Sequence, residues 1–235
     1  MSKKELDFEP SIATELSGLY AVAKHEELHE RLQALYATQP KHVDTCWLLA
    51  RCIFDLVERL PDSDASKVAR LERGLQLLEE ARAIDGGDQC CAVHKWKAIL
   101  ISEHSKTRGT TERIKQSFEI KAEALKASEL DPSDPTPHFL LGVWSYEVAN
   151  IGWITRKLAA TIFAEPPTAT FQEAIEHHLK CHAIDPKFKR NLAGLARAYK
   201  AAGDSAKSKE FAKLAIAVPS LTEKDREMDA EMGGF

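Results

Sequence analysis

Five turn-forming residues punctuate this chain in register: Pro40, Gly86, Pro132, Pro186 and Ser220 each close one apolar helical run and open the next. The intervals are 46, 46, 54 and 34 residues, and about 34 is a period at which helix hairpins stack into arrays. Such an array buries its core between neighbouring hairpins and offers extended surfaces rather than one catalytic pocket. The longer intervals must then be the same unit carrying additional residues.

Counting along the chain tests this, because two helices of a hairpin approach closely only where one of them carries a small residue. Seven and eight places into each unit the first helices read Leu49-Ala50, Lys95-Trp96, Leu141-Gly142 and Leu195-Ala196. Five residues before each closing turn the second helices read Leu35, Ala81, Ala127, Cys181 and Ala215, and eight before it Leu32, Leu78, Ala124, His178 and Ala212. These are the positions of an inward-facing helical stripe. The pattern is that of tetratricopeptide hairpins. It predicts an all-α fold of tetratricopeptide-like antiparallel helix hairpins stacked into a right-handed superhelical array, with an enlarged third hairpin.

Three regions are expected: an N-terminal helical region over 1–43, the repeat domain over 44–221, and a charged C-terminal helix and tail over 222–235. Ser11 to Thr38 reads as the second helix of a hairpin whose first helix is missing or degenerate. The additional residues fall between the helices of each hairpin, at Pro61 to Asp64, Ser105 to Thr110 and Asn150 to Thr170. The first two are polar and turn-rich, so they read as surface loops or extra helical turns. The third carries Trp153, Ile154, Leu158, Ile162 and Phe163 beside Arg156 and Lys157. Its helical spacing demands a buried face, packed either inside the molecule or against a partner or lipid surface. From Thr222 the chain reads as a polar capping helix that frays into a tail.

With 29% charged residues and a net charge of −4, the chain lacks the strong basic excess of a general nucleic-acid binder. There is no apolar run of spanning length, and MSKKELDFEP has no signal-peptide core, which points to a cytosolic protein, or a nuclear one once mitosis mixes the compartments. Cys46, Cys52, Cys90, Cys91 and Cys181 are odd in number and form no C-x-x-C, so reduced, partly buried thiols are expected.

Catalytic signals are weak. His25-Glu26-Glu27-Leu28-His29 matches H-E-x-x-H, a zinc hydrolase motif. Its surroundings, however, are those of a solvated helix whose buried stripe is Leu28, Leu32 and Leu35, with both histidines off that stripe. His178 and His182 are also one turn apart with Cys181 between them; His178 holds an inward position and reads as a packed core histidine, with a structural metal as the alternative. No phosphate-binding loop or nucleophile elbow is present. No enzyme activity, metal or cofactor is therefore expected.

The basic residues are more informative. Lys187 to Lys213 holds eight cations against Asp204 and Glu210. Places two, five, nine and twelve of a first helix point into the concave face of such an array. In the last unit they give Arg190, Ala193, Arg197 and Lys200; in the middle unit Phe139, Val143 and Tyr146; and Lys97 takes the ninth place of an earlier one. A basic wall beside an apolar floor could hold carboxylates or phosphates of a partner. The plainer reading is a solvated charged face.

HKWKAIL (from His94), DPSDPTPHFLLGVWSYEVANIGWITRKLAATIFAEPPTATFQEAIEHHLKCHAIDP (Asp131 to Pro186) and NLAGLARAYKAAGD (Asn191 to Asp204) resemble the regulator of microtubule dynamics family, over about Asp44 to Asp225. The resemblance implies a cytoplasmic, non-enzymatic protein associated with microtubules, spindle and spindle poles, contributing to chromosome segregation, with tubulin and spindle proteins as partners. Some relatives carry an N-terminal membrane anchor and handle phospholipid, which makes phospholipid binding or transfer the alternative function. The chain shows no such anchor, so the soluble branch is the better match.

Overall fold

The computed structural model describes residues 7–61, 63–151, 157, 160, 161 and 167–235. Its described elements are helical, and they fall into two compact units, Met1–Leu130 and Asp131–Phe235.

The first unit contains α1 (Pro10–Ala21), α2 (His25–Thr38), α3 (Val43–Val57), α4 (Ser66–Ala83), a 3-10 turn at Gly87–Gln89, α5 (Cys91–Ser105) and α6 (Thr110–Leu130). Pro10 sits at the start of α1, where its missing N–H costs nothing. The His42 ring accepts from the Thr45 backbone N–H at 3.2 Å and caps α3. Gly86 turns the chain after α4 with φ 77°, a conformation open to glycine without steric cost. Helix α3 packs on α2 and α4, and α5 on α4 and α6. Leu32, Leu71, Leu77, Leu78 and Leu100 fill the core.

The second unit contains α7 (Pro135–Ala149), α8 (Phe171–Ile184), α9 (Lys189–Ala201), α10 (Ser205–Ala217) and α11 (Glu223–Met232). Asp134 accepts from the Thr136 N–H at 2.8 Å, with Pro135 following as the first helical residue. Thr170 with Glu173, and Thr222 with Asp225, form reciprocal capping boxes on α8 and α11. Neighbouring helices pair, α7 with α8 and α9 with α10, while α9 also packs on α8 and α11.

Each predicted turn lies between a second helix and the helix after it. The positions five and eight residues before each turn are all buried: Ala81, Ala127, Cys181 and Ala215 are 0% exposed and Leu35 6%, and Leu32, Leu78, Ala124, His178 and Ala212 no more than 2%. Two expectations change, and one open alternative resolves in favour of extra helical turns. Ser11 to Thr38 is two helices, α1 packed on α2, split where Ala23 turns with φ 56°. The additional residues of the second hairpin lie mostly in α6, which runs for 21 residues, leaving only 106–109 as its connection. And the C-terminal end does not fray: Met232 is 2% exposed and Phe235 packs on the second core.

All five cysteines are free of disulfides, and four are buried. Burial pushes the thiols up, Cys46 to about 11 and Cys52 and Cys181 to about 12, far from a reactive thiolate at neutral pH. No described helix is long and apolar enough to cross a membrane.

Candidate functional site

The second unit is assembled around one histidine. His178 of α8 is 1% exposed, and its ring lies between two glycines. A Cβ added to Gly142 of α7 would come within 2.7 Å of the ring, and one on Gly194 of α9 within 2.6 Å. Only residues without side chains let both helices close on the imidazole. Asn191 locks it: its amide N–H donates to the His178 carbonyl at 3.0 Å, and its amide oxygen accepts from Nδ1 at 2.8 Å. Burial drives the imidazole down to about 4, so it is neutral at physiological pH. This packing fixes α9 on α8 and sets the direction of its outer face.

That face carries Arg197 and Lys200. Arg197 donates to both carboxylate oxygens of Glu231, Nε to Oε1 at 2.8 Å and Nη2 to Oε2 at 2.5 Å. The Lys200 ammonium stands 3.8 Å from the centre of the Phe235 ring, a cation–π contact. Tyr146 of α7, Arg197, Lys200, Glu231, Gly234 and Phe235 line a cleft of about 440 Å³. The hydrogen bond from Arg197 is the main reason Glu231 lies below the usual carboxylate range. Arg197 and Glu231 are each more than a third exposed or close to it, so their pairing stabilises by at most about 1 kcal/mol. Burial of Met232 adds about 1.5–3 kcal/mol, and Lys189 holds the start of this layer. Its ammonium, 7% exposed, donates to Ala215 O, Val218 O and Asp229 Oδ1 at 2.9, 2.7 and 2.5 Å.

The other residues singled out in the sequence are placed differently. Phe139 is turned to Phe188 and His178, with ring centroids at 5.0 and 6.0 Å, and Val143 and Arg190 are half-buried. The charge of Arg190 reaches Asp225 at the start of α11. Trp153, Arg156 and Phe163 lie outside the described residues; Lys157 is described and exposed. The C-terminal helix was the partner that sequence reasoning missed. Its signal was available, since Glu223 to Glu231 holds five carboxylates against two cations directly after the basic stretch.

Lys97 does not line a groove. It is 6% exposed in the first unit, with Glu79, Glu119 and Glu123 oxygens at 2.5, 2.8 and 3.0 Å. The 3-10 turn after Gly86 delays the start of α5 by two residues, so Lys97 is the seventh residue of its helix. The seventh residue is Leu49, Leu141 and Leu195 in α3, α7 and α9. A lysine at a core position needs counter-charge. Glu123, 7% exposed, also accepts from His94 Nδ1 at 2.5 Å and Arg82 Nη1 at 3.1 Å. Burial works against the charge of all three groups, yet their mutual hydrogen bonds win: His94 and Lys97 are raised and Glu123 is lowered.

The two histidines of the H-E-x-x-H match part company. His25 is 7% exposed, on the buried stripe of α2 rather than off it, with Nδ1 3.7 Å from Asp55. His29 is half-buried one turn on. Burial lowers both.

A family model described as regulator of microtubule dynamics protein 1-3 matches residues 12–234. Regulator of microtubule dynamics protein 3 of Xenopus laevis is 37% identical over 188 residues, covering 79% of this chain and 40% of that protein. Regulator of microtubule dynamics protein 1 of Mus musculus is 29% identical over 221 residues, covering 94% of this chain and 71% of that protein. The chain therefore spans well under half the length of the first curated relatives it matches, 40% in Xenopus laevis and 38% in Rattus norvegicus. Among solved structures, a thermophilic tetratricopeptide protein of Thermus thermophilus superposes with a TM-score of 0.64 at 12% identity, covering 94% of this chain and 96% of its own. MamA gives 0.51 at 12% identity, covering 92% and 96%. These likenesses show a tetratricopeptide-like fold.

Proposed function

Because this chain belongs to the regulator of microtubule dynamics family, we propose that it is a non-enzymatic interaction module that associates with microtubules and the spindle in the cytoplasm and contributes to microtubule dynamics and chromosome segregation. The observation that supports a particular surface is the Arg197 and Lys200 pair beside Tyr146, with Arg190 on the same helix. In the free chain these cations already hold an aromatic ring and a carboxylate, the second being the group an acidic tubulin surface would offer. Each arginine can grip a carboxylate with two hydrogen bonds, and attraction of this kind speeds encounter and weakens with salt.

Charge reversal of Arg190, Arg197 and Lys200 together to glutamate is expected to weaken co-sedimentation with microtubules about tenfold or more at low salt. Wild-type binding should itself fall as salt is raised. Unchanged binding of the triple variant at low salt would remove this face from the function.

A further inference from the structure

We propose that the Arg197 and Lys200 face of the second unit is a docking site for segments presenting a carboxylate and an aromatic ring four residues apart, and that residues 223–235 are its resident occupant. The present occupant defines what the site accepts. Glu231 meets the guanidinium of Arg197 through both oxygens, the Phe235 ring lies under the Lys200 ammonium, and Met232 between them is the buried anchor. Tyr146 contributes from a different helix. The pair of cations therefore reads two chemically distinct groups at a fixed separation, which a lone charged helix face would not do.

The occupant is held at few points. Met232 is the single buried residue of α11, and Leu221 in the connection from α10 is 86% exposed. Apart from the anchor, Met228 and Phe235 rest half-buried on the second core, while Glu231 is fixed by a contact that water and salt screen. Lys189, which receives Asp229 while also capping α10, keeps the segment close when its tip is released. A tethered ligand of this sort raises the concentration an external competitor must reach, and so sets a threshold for binding. The inference rests on reading this face as a partner surface, but its test involves no microtubule.

The probe is a fluorescent peptide of residues 219–235, added to the full chain. Opening the site with Glu231→Ala and Phe235→Ala together should let the peptide bind about tenfold tighter than to wild type. Arg197→Glu in that background should abolish binding, and a peptide carrying Glu231→Arg should restore it. A readout that needs no variant is hydrogen exchange on the wild-type chain, where excess peptide should speed exchange in residues 223–232 and leave α9 protected. Peptide affinity no greater for the opened chain, affinity insensitive to Arg197→Glu, or unaltered exchange in residues 223–232 would overturn the proposal.

Discussion

Lys97→Met is expected to cost the first unit about 3 kcal/mol of folding stability, the lower end of what breaking a buried ion pair removes. The methionine fits the space of the lysine stem, so the loss comes from charge and not from a cavity. Three carboxylates are left converging where the ammonium stood. Glu79 and Glu119 are about half exposed and can turn to water, which is why the cost stays low in the range. Glu123 is 7% exposed and cannot.

The pH dependence separates this account from lost packing. In the wild type Glu123 lies below its usual range, so its contribution is present above the unfolded carboxylate value near 4.5 and is lost as pH falls through the depressed one. Without Lys97 part of that depression is gone, so burial weighs more against the charge of Glu123 and the carboxyl protonates at a higher pH than in the wild type. Guanidinium unfolding should then show a larger deficit at pH 8 than at pH 5. Lys97→Met with Glu123→Gln should recover part of the loss, since the amide removes the uncompensated buried charge and still offers an acceptor to His94 and Arg82. A deficit equal at both pH values, with the double variant merely additive, would assign the loss to packing.

Legibility of this chain followed the repeat. Helix hairpins recur because small residues recur, and counting back from five turns located Ala81, Ala127, Cys181 and Ala215 at full burial without any structure. The same counting misplaced Lys97, since a turn and a helix start need not coincide and the 3-10 residues Gly87–Gln89 shift α5 alone. It also treated Arg197 and Lys200 as open, because periodicity within a repeat says nothing of which distant segment lies across it. Pairing of charge between Lys187 to Lys213 and Glu223 to Glu231 is a tertiary fact that composition hints at but cannot place. His25 shows a third kind of miss: a histidine at the first position of α2 extends the apolar stripe of Leu28, Leu32 and Leu35 by one turn, and polarity alone made it look solvated.

His178 leads to the second large effect, a loss of stability in mild acid. A histidine lowered from 6.5 to about 4 in the folded state is held neutral by the fold, so the unfolded chain binds its proton first. Its contribution is complete above pH 6.5 and falls as pH drops from there toward 4, the loss reaching about 3 kcal/mol at the bottom of that window. The sign is opposite to that of His94, which is raised by Glu123 and the Asp88 carbonyl against its burial and favours folding as pH falls. The two reside in different units, so the acid-sensitive transition should belong to the second. Chemical-shift titration of the His178 imidazole, together with unfolding of the second unit followed from pH 7 to 4.5, measures it directly. The glycines supply the control: Gly142→Ala should cost about 2 kcal/mol at neutral pH by driving a methyl into the ring. That penalty should shrink when His178→Ala is already present, since the clashing group is gone. If His178 instead titrates near 6.5, or Gly142→Ala is tolerated without change, the imidazole is not the keystone between α7 and α9.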